Sequence, residues 1–299
     1  MFVRWALWYA RTVSNRGNNM ELKITTLSEN TVVARPRGLL GEWGLSILVE
    51  ADDLRLLLDT GQSISAVNNG DILGVPWQEI DKIVLSHGHY DHTGGLRQIL
   101  GRMKKRIEVI AHPDVWDTKY VDIPDTNYRA YVGIPFRKED LESLGAMLKL
   151  TDRPVWLSDS VVTSGEIPMT TDYEAIDPGL CLKEEGQFHP DPLKDDQALF
   201  IKTEAGLVVV LGCAHRGIIN TLRHAQKVAG MELIHTVIGG THLFRASEAQ
   251  LALTIAELKA MGVQRLGVSH CTGMTAAVKL AQEFSDNFFF NNAGTTITL

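Results

Sequence analysis

The stretch LSHGHYDHTGG, residues 85–95, sets His87, His89, Asp91 and His92 within six consecutive positions. Imidazole nitrogens and carboxylate oxygens are good ligands for zinc and comparable divalent ions, and several on one loop reduce the entropy lost when an ion is held. Ordinary loops seldom concentrate ligands in this way, so the spacing points to a metal site rather than to scattered, satisfied histidines. The chemistry such a site supplies is Lewis-acid catalysis, with water activated near neutral pH to attack a carbonyl or phosphoryl centre.

The elements that position these residues are also legible. The cluster follows the apolar run KIVLS and precedes a glycine pair and the helical GLRQILGRMKK. That places it at the carboxyl end of a strand, where open α/β sheets put their ligand sites. Three more histidines share this context: His215 after LVVVLGCA, His242 after TVIGGT and His270 after LGVS. His224 and His235 lie in ordinary helix or strand text and read as structural.

Before the cluster, ELKITTL, TVVARP, LSILVE and RLLLD read as short strands of a meandering sheet. After residue 80 strands alternate with helices, through IEVIAH, QALFIKT, LVVVLG, IINTLRHAQKVAG, IHTVIGG, SEAQLALTIAELKAMG and LGVSH to a last helix from Met274 to Phe284. Residues 113–195 carry Pro113, Pro124, Pro135, Pro154, Pro168 and Pro178 among several aromatics and read as an irregular insertion beside the site. Residues 1–19 read as an N-terminal extension, and 20–299 as one α/β domain with two related halves, since no Gly/Ser linker or short repeat divides them.

Composition narrows the function classes. A chain of 299 residues that is 44% hydrophobic can bury a substantial core. Its formal charge of −7 gives no overall positive field for nucleic acid or an anionic membrane, so neither is an expected partner and a small-molecule substrate is. The opening residues match neither a membrane span nor a signal peptide. Three cysteines, Cys181, Cys213 and Cys271, are too scattered for a disulfide framework and suit a reducing, cytoplasmic setting. Asp59-Thr60-Gly61 is similar to the loop of retroviral-type aspartic proteases, but that chemistry needs a second such aspartate and leaves the histidines unexplained.

His87-Gly88-His89-Tyr90-Asp91-His92 matches the HxHxDH signature of the metallo-β-lactamase superfamily, and LLLDTG at 56–61 resembles its other early motif. The resemblance covers nearly the whole chain from Met20. It implies a four-layered αβ/βα sandwich, two mixed β-sheets face to face with helices outside and a metal site along one edge. It further implies one zinc ion on His87, His89 and His215, a second on Asp91, His92 and His270, and Asp59 in support. The longer signatures AHPD, TSGEIP, DDQAL, LGCAHRGIINT, IGGTHL and SHCTG resemble a narrower subgroup that includes dihydropteroate-synthase-like enzymes of methanopterin biosynthesis.

One departure from the superfamily matters. Its usual bridging aspartate follows a glycine at the end of a late strand, where VIGGTHL offers Thr241 and His242 but no carboxylate. The ions are then expected to be bridged by solvent alone, or the second to be held less tightly. Cys213 and Cys271, beside expected ligands, either bind zinc as thiolates or are small buried hydrophobes, and the second reading is preferred because histidines already fill the coordination sites. His89 stands where the dinuclear-iron relatives carry glutamate, which favours zinc.

The resulting expectation is a zinc-dependent hydrolase, with Asp91 orienting the nucleophile and His242 transferring a proton or binding the developing anion. The alternative is a transferase joining a dihydropterin-methyl diphosphate to an aminobenzene ribofuranosyl phosphate; a further one is a non-catalytic, metal-holding protein that binds a small molecule. His112 either lines the site or caps a strand. Asp195 and Asp196 either touch substrate or are plain acids. Arg129, Arg137 and Lys138, among Tyr128, Tyr131 and Phe136, would suit a wall for an anionic, flat-ringed substrate.

Overall fold

The computed structural model describes residues 20–299, so the extension expected over 1–19 lies outside the described residues. Two large sheets carry the fold. The first orders its strands β17-β1-β2-β3-β4-β5-β8, namely β1 (Leu22–Ser28), β2 (Ser46–Ala51), β3 (Leu54–Leu58), β4 (Lys82–Val84), β5 (Ile107–Ala111), β8 (Ala146–Leu150) and β17 (Thr296–Thr298). Its β17-β1-β2-β3 half is antiparallel and its β3-β4-β5-β8 half parallel. The second, β16-β15-β14-β13-β12-β9, is built from β9 (Val161–Thr163), β12 (Ala198–Thr203), β13 (Gly206–Leu211), β14 (Ile234–Gly240), β15 (Arg265–Ser269) and β16 (Phe288–Phe290). It is parallel from β13 to β16 and antiparallel from β9 to β13.

Side-chain alternation stacks the sheets. Ile47, Val49, Leu56 and Leu58 of the first sheet share one core with Leu199, Ile201, Val208 and Val210 of the second. The intervening Leu48, Leu57 and Val109 face the opposite way, onto Ala66 of α1 (Ser65–Leu73) and Leu96, Ile99, Leu100 and Met103 of α3 (Leu96–Met103). Phe200, Leu207, Val209 and Leu211 likewise face outward onto α5 (Ile218–Ala229), α6 (Glu248–Ala260) and α7 (Met274–Phe284). Strands such as β2, β3 and β13 are therefore apolar on both faces, as buried strands are. The result is the expected order of layers: helices, sheet, sheet, helices.

Helix α5 shows how tertiary contacts complete local structure. Ile218, Ile219, Leu222, Ala225 and Ala229 recur on one buried face, and Gly230 ends the helix in the left-handed conformation. Its N-cap, Gly217, has no side chain to accept the first amide protons. Glu174 does so from a distant loop, accepting from the Ile219 and Asn220 amides at 2.8 and 2.9 Å.

Two readings of the sequence are revised. TVVARP is a loop and not a strand: Thr31 turns its amide and hydroxyl onto the Glu29 carboxylate, and Val32 makes an isolated bridge to Ala293. Residues 113–195 are not irregular throughout: they contribute β8 and β9, one edge strand to each large sheet. They also form a four-stranded antiparallel sheet, β11-β10-β6-β7, from β6 (Lys119–Asp122), β7 (Arg129–Tyr131), β10 (Leu180–Glu184) and β11 (Gln187–Pro190). These strands are too short and too interrupted by proline to show a clear period in the sequence. Among the described residues no helix is long and apolar enough to cross a membrane.

Candidate metal centre

The carboxyl ends of β3, β4, β13, β14 and β15 meet at one edge of the sandwich and deliver Asp59, His87, His215, His242 and His270. The close approach depends on glycine. A Cβ on Gly94 would lie 2.0 Å from the Gln62 carbonyl oxygen, and one on Gly95 2.0 Å from that of Thr60. The glycine pair after the histidine cluster therefore lets the start of α3 rest directly on the Asp59 loop. Asp59, His242 and His270 hold left-handed backbone at φ of 62°, 49° and 53°, a conformation that non-glycine residues keep chiefly where surrounding structure enforces it.

Six of the residues singled out by spacing come together as two sets of three. The ligand atoms of His87, His89 and His215 lie within 4.8 Å of one another, and so do those of Asp91, His92 and His270. His215 Nε2 is 3.2 Å from His87 Nε2; in the other set His92 Nε2 is 3.2 Å from His270 Nε2, which lies 3.2 Å from Asp91 Oδ2. All six are buried. Converging imidazole nitrogens at this spacing repel unless a proton or cation lies between them.

The outer nitrogens explain why the inner ones converge. His92 Nδ1 bonds Asp59 Oδ2 at 2.7 Å, His87 Nδ1 bonds Ser86 Oγ at 2.8 Å, and His270 Nδ1 bonds Asn30 Oδ1 at 3.0 Å. Ser86 in turn donates its hydroxyl to Asp59 Oδ2 and its amide to Asp59 Oδ1, at 2.6 and 2.7 Å. One fully buried carboxylate thus fixes two imidazoles, one in each set, with Nδ1 directed outward and Nε2 turned inward. This is how outer partners orient metal-binding histidines. His89 Nε2 is buried with no hydrogen-bond partner, as suits a donor awaiting a cation. The residues fit divalent metal ions.

Electrostatics differ between the sets. Burial, with neighbouring imidazoles adding to it, holds His87 and His215 well below the ordinary histidine range, and burial takes His89 to about 3, so these rings are neutral ligands. Burial also opposes charge on His92, but the Asp59 and Asp91 carboxylates outweigh it and raise the ring to about 9. Asp91 is depressed although burial acts against it, because His92 and His270 favour its charge.

Several residues that build the centre carried no signal in the sequence. Lys119 is almost fully buried and bonds Asp191 and Asp195, each at 2.9 Å. Asp195 then accepts the Gly88 amide at 2.8 Å and so fixes the loop between His87 and His89. Glu29 accepts the His270 amide at 2.7 Å. Only the DDQAL run drew attention to Asp195. Its neighbour Asp196 accepts the Arg216 amide at 3.0 Å, and burial raises its carboxyl to about 7. Asp196 is buried beneath the His215 turn and does not line the cavity described next.

That cavity, about 210 Å³, opens over both sets and is lined by His89, Asp91, His215, His270, Cys213 and His242, with Trp43, Phe244 and Arg245 at its sides. Both ring nitrogens of His242 are shielded and unpartnered, and its ring lies 4.1 Å from that of His215. The four-stranded sheet lines the cavity with Val121 and Leu180, joined by Val132 just after β7. Arg129, Arg137 and Lys138 therefore do not form the expected wall; Arg129 stacks on Phe188 at 4.2 Å instead. His112 accepts the Asp114 amide and caps the turn Pro113–Trp116. His224 and His235 bond Ser164 O and Thr236 Oγ1, away from the centre.

Residues 44–216 match the family model described as metallo-beta-lactamase superfamily. The chain is 33% identical over 294 residues to the 7,8-dihydropterin-6-methyl-4-(beta-D-ribofuranosyl)-aminobenzene-5'-phosphate synthase of Methanocaldococcus jannaschii, covering 95% of this chain and 98% of that protein. It is 30% identical to an uncharacterised protein of the same archaeon, over 92% of this chain and 99% of the other. Among solved structures, a metal-dependent hydrolase of the beta-lactamase superfamily superposes with a TM-score of 0.79 at 25% identity, covering 93% of this chain and 99% of that one.

Proposed function

Since the chain belongs to the metallo-β-lactamase superfamily, we propose that it is a zinc-dependent hydrolase of a small anionic substrate that holds two ions, on His87, His89 and His215 and on Asp91, His92 and His270. The observation that carries this reading is the pair of adjacent three-residue sets, with the outer nitrogens of His87, His92 and His270 tied back and residues of both sets lining one cavity. Bound divalent ions supply Lewis-acid polarisation of the substrate and activation of water near neutral pH.

The chain's own residues supply the rest. Asp91 lines the cavity, where its carboxylate can orient the attacking water. His242 has both ring nitrogens free of protein partners beside His215, so it can hand a proton to a leaving group or donate to the developing anion. Arg245 at the mouth, paired with Asp177 at 3.0 Å, is placed to meet a carboxylate or phosphate. Trp43 and Phe244 offer ring faces to a flat substrate.

A second reading is favoured by the 33% identity over nearly the whole of a synthase that acts in dihydropterin chemistry. There the same centre would grip a diphosphate leaving group while an arylamine attacks the adjacent carbon. Assays in ¹⁸O-labelled water separate the two. The metal-loaded protein is screened on phosphodiesters, lactones, thioesters and a dihydropterin-methyl diphosphate. A hydrolase puts label into product, whereas the transferase releases diphosphate only with the arylamine present and incorporates none. If His89→Ala and Asp91→Ala proteins retained every turnover, the metal-dependent reading would fall, and passive binding would replace it.

A further inference from the structure

We propose that Cys213 is a thiolate ligand shared by the two metal ions; the proposal rests on the two-ion reading above. Geometry carries it. Cys213 Sγ belongs to a metal-competent group with His87 and His92, to another with His215 and His242, and to a third with His270 and Cys271, all with ligand atoms within 4.8 Å. Its sulfur is thus within reach of imidazoles from both sets. It lies 3.1 Å from His92 Nε2, the nitrogen turned into the centre.

The backbone enforces this position. A Cβ on Gly212 would lie 2.2 Å from Ser86 Oγ and 3.3 Å from Asp59 Oδ2, so the end of β13 runs against the floor of the histidine loop and brings Cys213 in with it. In the expected bridging region Thr241 donates its hydroxyl to Thr272 Oγ1 at 3.0 Å, and His242, which groups with Cys213 and His215, brings an imidazole and no carboxylate. Cys271 is not equivalent: its sulfur accepts the His242 amide at 3.3 Å and groups with Cys213 and His270, without any residue of the first set.

Charge favours a second anion. Five imidazoles and Asp91 set one negative charge against two dications in a buried site, and uncompensated buried charge is costly. A thiolate between the ions lowers that excess and is a soft, strong ligand for zinc. On binding, the S–H bond is replaced by sulfur–metal bonds and the proton leaves to solvent.

The test replaces the native ions with Co²⁺ and reads absorption. Bound cobalt gives visible ligand-field bands, and a thiolate ligand adds a charge-transfer band in the near ultraviolet. Wild-type protein is expected to show both, with the charge-transfer band growing through both equivalents of metal. Cys213→Ser should lose that band and keep the ligand-field bands, whereas a Cys181→Ser/Cys271→Ser protein, with Cys213 as its remaining thiol, should keep both. Ligand-field bands without charge transfer in the wild type, or charge transfer lost in the double variant, would overturn the proposal. Growth complete at one equivalent would overturn the sharing. Absence of any cobalt spectrum would remove the metal centre itself, and this ligand with it.

Discussion

Asp59→Asn tests whether a single buried carboxylate sets the ligand geometry. Asp59 is fully buried and accepts from the Ser86 amide, the Ser86 hydroxyl and His92 Nδ1, at 2.7, 2.6 and 2.7 Å. An asparagine of the same shape has one oxygen and one NH₂. If the oxygen keeps the Ser86 amide, the NH₂ faces Ser86 Oγ and His92 Nδ1, two groups that donate in the native protein. His92 then relieves the donor–donor contact by taking the other tautomer, with its proton on the inward Nε2. Ser86 must turn its hydroxyl away and weaken its hold on His87.

Each charge-assisted hydrogen bond lost costs about 1.5–3 kcal/mol, which is roughly a 10- to 100-fold loss of metal affinity at about 1.4 kcal/mol per factor of ten. That is also the range of about 10- to 100-fold seen when an orienting partner of a ligand is removed. The assay is competition with a chromophoric chelator near neutral pH, with circular dichroism to verify the fold and the exposed Asp53→Asn as control. Affinity within about twofold of wild type would refute the assignment of Asp59 as the residue that sets both tautomers.

Lys119→Met leaves Asp191 and Asp195 buried without their shared cation and should destabilise the protein by about 3–5 kcal/mol in urea unfolding, with partial recovery on adding Asp195→Asn; wild-type stability would show that the cluster does not hold the histidine loop. Glu174→Ala removes the acceptor for the first amides of α5 and should cost about 1–2 kcal/mol, read as a lower melting temperature. Burial raises Asp196 to about 7 from its ordinary 3.8, so the folded metal-free protein binds this proton more tightly than the unfolded chain does. Its stability should therefore fall as pH rises from about 4 to about 7 and level off above, each tenfold of proton affinity being worth about 1.4 kcal/mol. Asp196→Asn should flatten that part of the profile and raise stability above it; an unchanged profile in thermal melts would place the titration elsewhere.

The chain by itself determined the local pattern. Apolar runs ending in histidine mark β4, β13, β14 and β15, helical periods mark α3, α5, α6 and α7, and the spacing of His87, His89, Asp91 and His92 carries its own chemistry. Those features are local, so periodicity and ligand density report them. Residues whose roles depend on distant partners were not legible. Lys119, Asn30 and Glu29 sit in unremarkable text, and the sequence leaves Cys213 open between buried hydrophobe and ligand. Only folding brings Lys119 against residues 72 and 76 positions away, or Asn30 against His270 across 240. The same holds for which face of each strand turns inward: Leu56, Leu57 and Leu58 are equally apolar, and burial against a second sheet on one side and helices on the other separates them. Tertiary structure decides such matters because a hydrogen bond or a shared ligand site is a property of two positions in space, and one-dimensional spacing fixes both only when they lie within a turn or two of each other.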